Sequence, residues 1–336
     1  VILVLKRAAI VLTLFLAFFS LLLANTSRHL SALSRSLSGL YVRFLAIGAV
    51  LLLCGFFFLW RENSRKGRLG LVGLALVAAW LGLNVLVFVY QDQLLFSPRS
   101  LSEARRARVA VEYPLAEELY VPGADGNVLH GWVIPGEVEK APLILVFPGQ
   151  GSEVSRYLDL SRQVPEFSWA FFNYRGYGLS EGIPSERGLF TDAVALYDWL
   201  VAEGYADPGK VFALGGSLGT GVASYLASQR PLRGVVLFSP YDKIGGGVAQ
   251  DLIPLAATGP LLRNKFHVSQ FAPQIQAPVL ALVGNSDLVI GPVRSEKLLA
   301  NWGGETVIHR LEADHYTIYQ LDESWQAVRS FLFDLL

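Results

Sequence analysis

Methionine does not occur in this sequence, cysteine occurs once, and charged residues make up only 17% of its 336 positions. Several methionines would be ordinary at this length, so spacings counted along the chain are read as minimum values. The lone Cys54 lies inside an apolar run, which excludes an intrachain disulfide and a cysteine-based zinc site. Lys and Arg number 28 against 28 Asp and Glu, a formal net charge of zero. That balance gives no sign of nucleic-acid binding or of an acidic partner. The shortage of charge also argues against a plain soluble enzyme. With 52% hydrophobic residues and a mean hydropathy of +0.41, part of the chain is expected to sit in lipid.

The apolar residues concentrate in three uncharged runs near the N-terminus, 8–24, 44–60 and 69–90, of 17, 17 and 22 residues. A helix rising about 1.5 Å per residue needs roughly 17–25 residues to cross the hydrocarbon core. All three runs reach that length, and Trp60 and Tyr90 stand at run ends, where amphipathic rings prefer the headgroup layer. The third run shows no polar face, which argues against a core helix. A signal peptide is the competing reading of the first run, with Lys6 and Arg7 as its basic start, and would leave two spans. No A-x-A-like cleavage site follows that run, so three spans are expected. The loop from Arg61 to Arg68 carries four basic residues against Glu62, which places it and the N-terminus in the cytoplasm and the large domain on the other side. Arginines beside the other loop and after the last span weaken that bias. The chain is thus predicted to be a multi-pass membrane protein with its large domain outside the cytoplasm.

Residues 92–116 read as a polar juxtamembrane connector lying along the membrane surface. From residue 117 to 336 short β-rich runs alternate with helical patterns, the signature of a wound α/β sheet. Apolar strands are expected at 143–147, 169–173, 211–214, 235–238, 279–283 and 306–311, with helices over 189–202 and 218–229. A hairpin is expected around Gly123–Asn127.

The chemistry centres on Gly215-Gly216-Ser217-Leu218-Gly219. With 32 glycines in the chain, a G-x-S-x-G match alone is weak, but a strand precedes this one and a helix follows it, as a nucleophile elbow requires. Gly215 and Gly219 leave room where strand and helix cross closely, and the helix N-terminus favours the negative charge of an attacked carbonyl. A glycine-rich turn with a capping serine is the bland alternative. A serine hydroxyl needs a base to take its proton. Of the five histidines, His29, His130, His267 and His309 stand where structural or exposed roles are usual, whereas His315 follows the last strand in a loop able to reach the elbow. Asp287, just past the strand at 279–283, completes the order Ser, Asp, His. Asp242 is its rival from one strand earlier, and Asp314 is expected to point away from the base. Backbone N–H groups of Leu218 and Gln150 are the candidate oxyanion donors, the latter in the loop Phe147-Pro148-Gly149-Gln150-Gly151.

These stretches, together with Gln93-Leu94-Leu95-Phe96-Ser97-Pro98-Arg99, Asn173-Tyr174-Arg175-Gly176-Tyr177-Gly178 and Ser239-Pro240-Tyr241, resemble the α/β-hydrolase superfamily, most closely its membrane-anchored alpha/beta hydrolase domain-containing serine hydrolases. The resemblance covers about residues 93–336. It implies a mostly parallel, doubly wound sheet preceded by an N-terminal transmembrane segment, and a structural role for the Arg175 loop in bracing the oxyanion loop. Relatives often carry His-Gly-Asn where this chain has Pro148-Gly149-Gln150, and commonly have one anchor helix rather than three.

The functional expectation is hydrolysis of an acyl ester or thioester through an acyl-enzyme, with membrane lipid and a lipid-like or small acyl substrate as partners. The reaction requires neither metal nor organic cofactor. The short segment 242–276, too small for a large lid, favours an open site taking a modest acyl group or a chain end presented from the membrane. A serine peptidase of the same fold and an inactive binding scaffold are the competing readings.

Overall fold

The computed structural model describes Trp60 and residues 64–336. The runs at 8–24 and 44–60 lie outside the described residues, Trp60 apart. The third run falls on helix α1, Arg65–Leu95, of which Gly67–Leu95 is long and apolar enough to cross a membrane. The chain forms two compact units, 1–82 and 83–336. In the first, α1 leaves Leu69, Leu76, Val77 and Leu81 exposed. The second unit holds the end of α1 and everything that follows it.

Its frame is an eight-stranded sheet in the order β1-β2-β4-β3-β5-β6-β7-β8. Strands β1 (Glu117–Pro122) and β2 (Val128–Ile134) form an antiparallel hairpin, and β2 runs antiparallel to β4 (Ser168–Phe172). The hairpin turn closes through the Gly123 N–H on the Asn127 carbonyl, 2.6 Å, with Gly126 at φ +83°. Strands β3 (Leu143–Phe147), β5 (Val211–Gly216), β6 (Gly234–Phe238), β7 (Val279–Gly284) and β8 (Thr306–Leu311) continue the sheet in parallel from β4.

Every residue of β3, β5, β6 and β7 is buried, which is why these strands read as unbroken apolar runs rather than alternating ones. Side chains still alternate between faces. Leu143, Leu145 and Phe147 of β3 pack with helices α3 (Glu186–Ala202) and α4 (Leu218–Gln229) through Leu189, Leu196, Val222 and Leu226. On the other face Ile144 and Val146 meet Val154, Leu158 and helix α6 (Asp322–Asp334) through Trp325, Val328 and Leu332. Between these last two elements in the chain, helix α5 (Pro292–Leu299) follows β7. The sheet's parallel strands thus present their C-terminal ends, and the loops that follow, along one edge.

The stretch 92–116 is more ordered than a connector. It carries helix α2, Glu103–Glu112, whose first turn is capped by Ser102 accepting from the Arg105 N–H at 3.3 Å. Val109 is its buried contact, too few apolar positions for a clear helical stripe in the sequence.

Candidate active site

Ser217 stands between β5 and α4 at φ +49°, ψ −119°, a region of backbone space that a residue with a Cβ occupies only under strain. Its surroundings hold it there. The Ser217 N–H donates to the Phe238 carbonyl at 3.0 Å, and its own carbonyl accepts from the Thr220 N–H and hydroxyl at 2.9 and 2.7 Å. A Cβ on Gly215 would lie 2.6 Å from the Gly219 carbonyl oxygen, and one on Gly219 would overlap the Phe147 carbonyl. Both glycines are therefore required by the crossing of strand and helix.

The loop after β7 and the loop after β8 bring two further groups to the serine. His315 Nε2 lies 3.0 Å from Ser217 Oγ, and His315 Nδ1 lies 2.7 Å from Asp287 Oδ2. Asp287 is buried, and its second oxygen accepts the N–H groups of Val289 and Ile290, both at 2.8 Å. Burial pushes this carboxyl up, but the His315 hydrogen bond and the Ile290 N–H outweigh that and hold it below the usual carboxylate value. An ionised acceptor on Nδ1 fixes the tautomer that leaves Nε2 free to accept the serine proton.

The rival acids are engaged elsewhere. Asp242 is paired with Arg294, both oxygens 3.3 Å from Nη1. Asp314 turns away and caps its own loop, accepting from the Tyr316 and Thr317 N–H groups at 2.8 Å. Among the other described histidines, His130 is fully buried between Glu118, 2.7 Å from Nε2, and Asn173, 3.1 Å from Nδ1. Burial lowers its pKa against the pull of Glu118, and it braces the β1–β2 hairpin rather than facing the serine. His309 lies on β8 against Glu323.

The loop carrying Gln150 lies against the elbow, since a Cβ on Gly149 would sit 3.5 Å from the Ser217 Cβ. Gln150 and Leu218 line the same cavity as Ser217 and His315, a space of about 700 Å³. The loop is held by two tyrosines. Tyr174 donates to the Pro148 carbonyl and Tyr177 to the Gln150 carbonyl, both at 2.9 Å. Burial raises both phenols well above their ordinary value, so they stay donors at any working pH.

The segment around Arg175 therefore braces the loop of Gln150, but not through Arg175. The guanidinium instead ties α3 to the hairpin, bonding Asp192 at 2.8 Å through two nitrogens and Asp125 at 2.9 and 3.2 Å. Nothing in the spacing Asn-Tyr-Arg-Gly-Tyr distinguishes these roles, because each partner is distant in the chain. Arg175→Met should leave the buried Asp192 carboxylate uncompensated and destabilise the fold by about 3–5 kcal/mol. Urea unfolding should show that loss, while turnover per titrated active site stays within a few-fold of wild type.

The cavity also has a wall that the sequence reading did not foresee. Val87, Gln91, Leu94 and Leu95, from the end of α1, line it together with residues of the segment 244–262. Their run reads from the sequence only as a membrane span, since hydropathy does not say which apolar partner a side chain meets.

Comparison with known proteins agrees with this architecture. The family model described as serine aminopeptidase, S33, matches residues 139–264. An uncharacterized protein of Mycobacterium tuberculosis is 32% identical over 232 residues, covering 68% of this chain and 80% of its own length. A solved alpha-beta hydrolase from Vibrio vulnificus superposes with a TM-score of 0.59 at 20% identity, covering 71% of this chain and 89% of that one. The chain belongs to the α/β-hydrolase superfamily. Within that superfamily this hydrolase is also similar to an uncharacterized membrane protein of Saccharomyces cerevisiae, 27% identical over 290 residues, 82% of this chain and 98% of the yeast one.

Proposed function

We propose that this chain is a membrane-anchored serine hydrolase that cleaves acyl esters or thioesters. The observation that carries the reading is the hydrogen-bonded series Asp287–His315–Ser217, at 2.7 and 3.0 Å, opening into an apolar cavity. His315 Nε2 takes the hydroxyl proton as Ser217 Oγ attacks the acyl carbonyl. The N–H groups of Gln150 and Leu218 receive the oxyanion. His315 then passes the proton to the leaving oxygen or sulfur, and an acyl group remains on Ser217. In the second half His315 takes a proton from water, whose oxygen attacks the acyl-enzyme and releases the acid. Asp287 orients the imidazole and stabilises its cation throughout. Anchoring rests on the apolar length of α1 and on the likeness to a yeast protein named as a membrane protein.

Peptide hydrolysis is the second reading, favoured by the description of the matching family model. An aminopeptidase must receive a free α-ammonium, and a desolvated ammonium needs an anionic partner. Neither Asp nor Glu lines this cavity among the described residues, and Arg156 is its permanently charged member. That composition favours acyl esters.

A fluorophosphonate probe should label the wild-type chain and not Ser217→Ala. Turnover of p-nitrophenyl acyl esters should exceed that of aminoacyl anilides by at least about 100-fold, given the acid-free cavity. Equal labelling of both chains would remove the serine mechanism, and faster anilide cleavage would replace the esterase by a peptidase.

A further inference from the structure

We propose that the last turns of helix α1 form one wall of the acyl-binding groove, so that the substrate is a long-chain fatty acyl ester or thioester whose tail lies along the anchor helix. This deepens the serine-hydrolase reading and rests on it.

The cavity that holds Ser217 is lined by Val87, Leu94 and Leu95 of α1 together with Leu252, Ile253 and Leu262, and Val87 and Leu262 belong to one packed apolar cluster with Ile253 against it. Two of these six remain largely uncovered, Leu94 at 57% and Leu252 at 54% exposure. Large apolar side chains left open in both segments that line a cavity holding a nucleophile are what an alkyl chain would cover.

The helix is not resting there by chance packing. Asn84, Val87, Gln91 and Leu94 recur at spacings of three, four and three, so they share one face of α1. Two of those positions are amides, and both are consumed by the segment 253–264. The Ala257 N–H donates to Asn84 Oδ1 at 2.8 Å and the Arg263 N–H to Gln91 Oε1 at 2.6 Å. Asp92 adds the Asn264 amide at 3.0 Å and the Arg263 guanidinium. Gln91 and Asn84 are both buried. In an apolar helix an amide is expensive unless bonded, and these two are bonded to backbone that would otherwise be unpaired. The geometry fixes the helix against the segment 253–264 and so fixes the distance between the groove's walls.

A wall of this kind makes a quantitative demand. Each methylene buried against it should raise kcat/KM by about fourfold until the groove is filled. Extending the acyl chain from four to eight carbons should then raise kcat/KM by roughly 250-fold. The test uses the full chain in detergent and p-nitrophenyl esters of two, four, eight and twelve carbons, with Leu94→Trp and Leu252→Trp as variants. Both positions are exposed, so bulk there is compatible with folding, and they add bulk to the lining from two separate segments. Wild type should show the rise with length, and each variant should lower the ratio of kcat/KM for the twelve-carbon over the two-carbon ester by at least tenfold. A flat series in wild type, or an unmoved ratio in both variants, overturns the proposal. A short ethyl fluorophosphonate distinguishes the two levels. If it labels Ser217 while the length series is flat, the anchor-helix wall is wrong and the hydrolase stands. If it does not label Ser217, the hydrolase reading fails and this inference falls with it.

Discussion

Replacing Ser217 by Ala is expected to lower kcat on an acyl ester by roughly 10⁴- to 10⁶-fold, and adding His315→Ala to that variant should lower it no further. The reason is that the two groups act in one event. With Oγ gone, Nε2 has no hydroxyl proton to accept, and with the imidazole gone the hydroxyl remains a weak nucleophile. The groups that remain, the N–H donors of Gln150 and Leu218 and the apolar walls, still bind and polarise an ester. That residue of activity should be common to both single variants and the double variant. Steady-state kinetics on purified protein would settle it. Two independent losses that multiplied would show that histidine and serine do not share a step, despite the 3.0 Å between them.

Asp287→Asn should cost about 10⁴-fold in kcat with the fold intact, whereas Asp242→Asn should change kcat by less than about tenfold. An asparagine in place of Asp287 can offer its amide N–H to Nδ1. The imidazole then carries its proton on Nε2, pointed at the serine oxygen, and can no longer accept from it. Asp242 cannot stand in, because both its oxygens are held at 3.3 Å by Arg294. The same argument fixes a pH signature. Asp287 is held below the usual carboxylate value, so it stays ionised down through the range where an ordinary aspartate would begin to protonate, near 3.9. The part of stability it provides is therefore present above that value and lost as pH falls through its lower folded value. Unfolding followed against pH should show this acid loss in wild type and not in Asp287→Asn. Equal kinetic losses in the two aspartate variants would instead make Asp242 a partner of the imidazole.

What the sequence disclosed and what it withheld follow from how local each signal is. The parallel strands were legible because burial on both faces turns them into continuous apolar runs, as in Leu143–Phe147. The serine turn was legible because strand, glycines and helix are adjacent in the chain. Asp287 and His315 could be named from their places after β7 and β8, although only the folded sheet brings them within bonding distance of each other. Side chains whose partner is a distant backbone carbonyl left no such trace. Tyr174 and Tyr177 hold the loop of Gln150, while the arginine between them serves the hairpin and α3. Helix α2 was missed because a charged helix resting on Val109 has almost no apolar period to detect. The double use proposed for α1 was invisible for a different reason: a leucine facing lipid and a leucine facing a substrate tail are the same letter.

The amide contacts at positions 84 and 91 tie the end of α1 to the domain that carries Ser217. A fragment beginning at Phe96 would keep the sheet, the serine and the histidine, yet it would bare the N–H groups of Ala257 and Arg263 and open the groove along one side. Proteolysis at this junction would thus strip part of the lining from the cavity that holds the serine, and leave the rest of the hydrolase in place.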